Sequence, residues 1–223
     1  MSDILKPSKT IVKADASAIQ MLADAKHKIE SGSNIMSGVL ARFEFDVTDQ
    51  DGKVIAKQAG PSFSFLRNFG RVMRQIFIAT SNTNDQVTDT GGVARFMAVM
   101  DTATGSEAPI ASAGQFRFGS SSAAVASDQF DVQTFLTGAQ TTTVSVSGLT
   151  ETGSHIQFQI DGSIQNTSGG NWAVREMVLC ANIHDGSTLG VTRQVAMLRD
   201  VFTLTNVPDL STANGHYIIN VPI

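Results

Sequence analysis

Cysteine, tryptophan and tyrosine each occur once in the 223 residues, and each scarcity narrows what the chain can be. A single thiol, Cys180, cannot close an intrachain disulfide, and its setting in Met177-Val178-Leu179-Cys180-Ala181 predicts a small, buried apolar side chain. Charge is thin as well: 16% of the residues are Asp, Glu, Lys or Arg, against about 25% in an average soluble protein. Sixteen basic and 20 acidic residues leave a formal net charge of −4, without the clustered Lys and Arg that bind nucleic acid or acidic lipid. No stretch approaches the roughly 18 apolar residues of a membrane span. Met1-Ser2-Asp3-Ile4-Leu5-Lys6-Pro7 lacks the apolar core of a secretory signal. The expectation is a protein made in a cytoplasm, with neither nucleic acid nor membrane as a partner. In that setting the glycosylation-like Asn166-Thr167-Ser168 is a coincidence within a Gly-rich turn.

What is plentiful is Gly, Ser, Thr, Ala and Gln, arranged in two regions. Residues 1–36 form an N-terminal arm whose segment from Ala14 to Glu30 places Ile11, Ala18, Ile19, Leu22, Ala25 and Ile29 close to a 3.6 period, which predicts one amphipathic helix. Its apolar stripe must be covered, either by its own domain or by a neighbouring subunit. From residue 37 to 223 the pattern is mainly β. Val39, Ala41, Phe43, Phe45 and Val47 alternate with polar partners, and Asp49-Gln50-Asp51-Gly52 turns the chain into a returning strand, Lys53 to Ala59. The two acidic residues of that turn lack the closing Glu of a calcium loop, so a plain turn is expected. One internal helix is predicted from Ser62, as N-cap, to Thr80, with Phe65, Phe69, Val72, Met73, Ile76 and Phe77 on one side and Arg67, Arg71 and Arg74 on another. Ser81 to Gly92 and Thr102 to Gly114 read as loops around a strand from Val93 to Met100. Further strands are expected over 115–119, 130–137, 141–149, 155–165, 172–181, 194–204 and 216–223. The fold class is a β-sandwich or jelly-roll-like domain with one internal helix and an N-terminal helical arm.

Catalytic signatures are sparse. Asp89-Thr90-Gly91 matches the tripeptide of aspartic proteases, but that chemistry needs a second carboxylate sharing its proton, and Asp85-Gln86-Val87-Thr88 is not the apolar strand that buries the motif. His27, His155, His184 and His216 are widely separated and none stands at zinc-ligand spacing. His184-Asp185-Gly186 reads as a hairpin turn. There is no Gly-x-Ser-x-Gly elbow, phosphate loop or dinucleotide fingerprint. No active site, cofactor or metal is expected, and the chain is not expected to be an enzyme. Trp172 reads as a core or interface anchor.

An ordered series of motifs resembles a type of tailed-bacteriophage virion protein. Pro61-Ser62-Phe63-Ser64-Phe65-Leu66-Arg67-Asn68-Phe69 is similar to a Ser-Phe-x-x-Asn-Phe helix in such proteins. Phe116-Arg117-Phe118-Gly119-Ser120-Ser121 resembles their Gly-rich turn, with Asp128 where an acidic residue often precedes the next strand. Val174-Arg175-Glu176-Met177-Val178-Leu179 resembles an "I-x-E-V-G-L" strand, departing from it where Met177-Val178 replaces the usual small position. Leu198-Arg199-Asp200-Val201-Phe202 and Tyr217-Ile218-Ile219-Asn220-Val221-Pro222-Ile223 resemble the closing "L-x-R-D-x-F" and apolar strands. The motifs span Pro61 to Ile223 and do not extend to the arm. The resemblance implies a structural component of head, neck or tail, located in the virion and partnered by copies of itself and by other virion proteins.

On this view Ile19, Leu22 and Ile29 of the arm and Arg67, Arg71 and Arg74 of the helix are the interface candidates, since Arg is favoured at interfaces. The arginines are otherwise the helix's solvated face. The competing expectation is a carbohydrate-binding or adhesion β-sandwich on the particle surface, for which one Trp and one Tyr offer few stacking platforms.

Overall fold

The computed structural model describes residues 40–62, 64–78, 86–96, 114–141, 144–151, 155–185 and 191–222. The chain divides into two units, Met1–Gly38 and Val39–Ile223, and every described residue belongs to the second. The predicted arm helix, with Ile19, Leu22 and Ile29, lies outside the described residues, as do positions 102–113 of the expected second loop.

All strand pairs in the described residues are antiparallel and form three sheets. The elements are β1 (Leu40–Thr48), β2 (Val54–Ser62), α1 (Arg67–Ile78), β3 (Gln86–Thr88), β4 (Ala94–Phe96), β5 (Gln115–Gly119), β6 (Phe135–Gln140), β7 (Ser145–Glu151), β8 (His155–Gln165), β9 (Trp172–His184), β10 (Thr192–Val207) and β11 (Thr212–Pro222). A five-stranded sheet has the order β2-β1-β11-β8-β7, a four-stranded sheet β10-β9-β5-β6, and β3 pairs with β4 alone.

β1 forms as its alternation predicts: Ala41, Phe43, Phe45 and Val47 are buried while the residues between them are not. The turn to β2 is made by Gly52 at φ 78°, and Asp49 Oδ1 accepts the amides of Asp51 and Lys53 at 3.0 and 2.9 Å. The carboxylate is thus used by the turn itself.

The two larger sheets meet through aromatic rings. Phe45 of β1 lies 5.5 Å from Phe118 of β5 and 5.0 Å from Phe202 of β10, and Tyr217 of β11 stacks on Phe116 of β5 at 5.7 Å. Such pairs contribute about 0.5–1.5 kcal/mol each beyond burial of their area. Phe116 fits because Gly162 of β8 and Gly215 of β11 stand opposite each other in register. A Cβ on either glycine would lie 2.6 or 2.8 Å from the ring.

Several boundaries differ from the sequence pattern, and two of the differences have a clear tertiary reason. The internal helix starts at Arg67 and not at Ser62, because Leu66 N–H donates to Met197 O at 2.9 Å and Phe65 bridges Leu198, which holds residues 64–66 extended along the edge of β10. Ser62 is therefore no N-cap; it ends β2, and its hydroxyl donates to Asp200. Residues 130–134 leave the expected strand because the amides of Gln133 and Thr134 are taken by Glu176, so β6 begins at Phe135. A short strand, β3, stands inside the expected 81–92 loop. β4 spans 94–96, with residues 97–100 outside the described set, and β7 runs over 145–151. β9, β10 and β11 are longer than predicted. The early part of β11 turns small Ala213 and Gly215 inward, which weakens its apolar signal.

Candidate functional site

Among the described residues, polar constellations interrupt this apolar framework. The first is centred on β9 and β10. Arg199 Nε and Nη2 donate to Glu176 Oε2 at 2.8 and 2.7 Å, with both side chains wholly buried. Burying two charges is tolerable only where the remaining donors and acceptors are also satisfied, and here they are. Arg199 Nη1 donates to Gln129 Oε1 at 2.9 Å, and both terminal nitrogens reach Ala123 O at 3.2 Å. Glu176 accepts the amides of Ser121, Gln133 and Thr134 at 3.2, 3.1 and 3.0 Å. The pair thereby fastens residues 120–134, a strap without regular structure whose Val132 joins Leu66, Val178, Cys180 and Ala196 in one buried cluster. Gly119 is required beneath it, since a Cβ there would fall 2.3 Å from Glu176 Oε1 and 2.7 Å from the Thr134 carbonyl oxygen.

At the strap's far end Arg117 Nη1 meets Asp131 Oδ2 at 2.5 Å, and its guanidinium lies 4.7 Å from the centroid of the Phe135 ring. Burial, with Glu176 adding to it, pushes the Asp131 carboxyl up to about 6 against the opposing pull of Arg117 and the Val132 amide. Burial likewise pushes the Cys180 thiol far above its ordinary range, as expected of a packed and unreactive cysteine.

The second constellation lies between the sheets. Asp200 accepts hydroxyl bonds from Ser62 at 2.7 Å and Ser64 at 3.0 Å, linking β10 to the end of β2. Burial raises the Asp200 carboxyl in spite of those bonds and the neighbouring Arg199. The buried Tyr217 hydroxyl lies beside this carboxylate, and burial together with the Asp200 charge pushes it well up.

The third lies on the outer face of the five-stranded sheet. His216 Nδ1 is 2.6 Å from Asp161 Oδ1, and its Nε2 is 3.2 Å from Asp46 Oδ2. Asp161 also accepts from Ser147 Oγ at 2.8 Å and Gln159 Nε2 at 2.5 Å, while Asn214 Nδ2 donates to Asp46 Oδ1 at 3.0 Å. Burial pushes Asp161 up, but the bonds from His216, Gln159 and Ser147 together hold its carboxyl below the usual range. Asp161, His216 and Asn214 border a depression of about 310 Å³ that Ser145 and Ser163 also line. Among the described residues no group of three or more His, Cys, Asp or Glu side chains is placed to hold a metal ion.

The residues singled out in the sequence fall elsewhere. Arg67 is exposed at the start of α1, its backbone amide donating to Ser127 O at 2.8 Å. Arg71 donates to the Gln86 carbonyl, and so ties α1 to β3. Arg74 is on α1, but its side chain lies outside the described set. Asp89 caps the β3–β4 turn: its Oδ1 accepts the amides of Gly91 and Val93 at 3.0 and 2.9 Å, and its Oδ2 takes Arg95 Nε at 2.7 Å. Asn166 is buried, its Nδ2 donating to Gly170 O and Val207 O at 2.7 and 2.9 Å, so the glycosylation-like triplet is a structural turn. Trp172 and Cys180 are buried, as expected. His27 and the side chains of His155 and His184 lie outside the described set.

Sequence reasoning missed the pairing of Glu176 with Arg199 and the bridging role of His216. The visible signal for the first was two charges of opposite sign set within apolar strands, around Met177–Ala181 and Val195–Leu198. No family model, curated protein or solved structure matches the chain.

Proposed function

We propose that this chain is a structural component of a bacteriophage particle, a head decoration, neck or collar, or tail part, that works by assembling with copies of itself and with other virion proteins. The observation that supports it best is the convergence of the motifs behind the resemblance. The Gly119-Ser120-Ser121 turn, the Glu176 strand and the Arg199-Asp200 strand are far apart in the chain, and they interlock at one buried junction. The Ser62–Ser64 stretch joins it through Asp200. Motifs that are individually unspecific then become parts of one framework. The two large sheets, joined by their aromatic rings, are read as a β-sandwich of jelly-roll type, a rigid body suited to repeated contacts. No catalytic role is assigned, and Asp89 in particular serves its turn.

The test is the mass and shape of the purified protein, by light scattering on a sizing column and negative-stain electron microscopy. A closed ring or defined multimer is the expected result, and a monomer over a wide concentration range would overturn self-assembly. Deleting residues 1–32 should leave a folded β unit that assembles more weakly.

A carbohydrate-binding or adhesion module is the second reading, favoured by the depression that offers Ser145, Asp161, Ser163, Asn214 and His216 as hydroxyl-binding groups. Binding on a glycan array, lost in Asn214→Ala, would establish it.

A further inference from the structure

Carboxylates only accept hydrogen bonds, and a neutral imidazole has one N–H to give. Both ring nitrogens of His216 nevertheless face carboxylate oxygens, Asp161 at 2.6 Å and Asp46 at 3.2 Å. With both carboxylates ionised, the two bonds can coexist only when the ring carries a proton on each nitrogen. The three residues sit on three adjacent strands, β1, β11 and β8. We propose that Asp46, His216 and Asp161 form a proton-operated clasp that ties the centre of the five-stranded sheet and opens when the imidazolium loses its proton.

The surrounding charges argue the same way. On β1, Glu44 stands opposite His216 in register, and it is paired with Arg42 at 2.8 Å and with Lys57 of β2 at 2.7 Å. Ser147 of β7 and Gln159 of β8 contribute hydroxyl and amide groups without charge. This face therefore sets the carboxylates Glu44, Asp46 and Asp161 against the cations Arg42 and Lys57, and it balances only while the imidazolium is present. Loss of the proton removes one bond and leaves two carboxylates facing a ring that can satisfy one of them. The ring is about a quarter exposed, with a side-chain exposure of 24%, so protons reach it without unfolding. The clasp needs a proton on both ring nitrogens, so its hold on the three strands is expected to weaken when the ring gives one up.

The experiment uses the full chain. Ring nitrogen shifts of His216 are recorded by NMR across the histidine range, with the resonance assigned as the one absent from His216→Gln among the four histidines. Urea midpoints of both proteins are taken from about pH 5.5 to about pH 8.5, a range that spans imidazole titration. The expected result is a doubly protonated ring at the acid end. The wild-type folding constant should also fall, relative to the variant, toward the alkaline end. A neutral single tautomer at the acid end, or two parallel stability curves, would overturn the clasp. Should His216→Gln not fold, the wild-type spectrum decides alone, assigned by elimination with Gln at His27, His155 and His184.

Discussion

Arg199 reaches Glu176 at 2.7 Å with neither side chain open to solvent, and the pair holds the strap as much as it holds itself. Its partners include the Ser121, Gln133 and Thr134 amides and the Ala123 carbonyl. The framework therefore depends on two charges whose removal must be considered together.

Arg199→Met should destabilise the protein by about 3–5 kcal/mol, because it strands a buried carboxylate. The double change Glu176→Gln with Arg199→Met should recover a substantial part of that loss. Urea unfolding of the three proteins measures both, and a double variant no better than the single one would show that the strap amides, and not the charge, dominate.

Gly119→Ala should fail to fold or lose several kcal/mol, since its methyl would meet a carboxylate oxygen and a backbone carbonyl that cannot both retreat. Gly70→Ala on α1, where a Cβ meets nothing within 4 Å, should be neutral or stabilising. Thermal melts of the pair separate steric need from glycine content.

Asp131 titrates at about 6 in the fold, against about 3.9 for an unperturbed aspartate. The folded state thus binds the proton more tightly, so this group adds stability as pH falls from 6 toward 4 and detracts from it when ionised. Asp131→Asn, which stays neutral, should gain on the wild type as pH rises through that window. Denaturation midpoints at several pH values give the difference, and a gap that shrinks with rising pH would reverse the assignment.

Cys180, packed under Val132 and Leu66, should react with a thiol reagent only as fast as its cover opens. In the native protein labelling should be slowed by several orders of magnitude relative to the urea-unfolded chain. Mass spectrometry of a time course reads it directly, without interference from any second cysteine. Arg199→Met should accelerate labelling by releasing the strap.

How much of this was legible beforehand depends on where solvent stands. β1 was readable because one face is wet and the other packed, which writes a period of two into Ala41, Phe43, Phe45 and Val47. β9 was readable as an apolar run because the strap covers its second face. The true helix start was not, since residues 64–66 owe their extended shape to β10, more than 130 positions away, as the Ser64–Asp200 separation of 136 records. The same holds for the site. Asp46 and Asp161 are 170 and 55 positions from His216, so a histidine that looked solitary in the chain is flanked on both sides in space.

The glycine notch also has a bearing on how the chain finds its native pairing. Side chains alternate across a strand, so sliding β8 past β11 by one position would turn Ile160 out to water and bring Asp161 toward the rings. It would also separate Gly162 from Gly215 and leave Phe116 without its recess. A misaligned pairing of these two strands is thus penalised on both faces of the sheet at once, and the correct alignment is the one in which an aromatic ring can close.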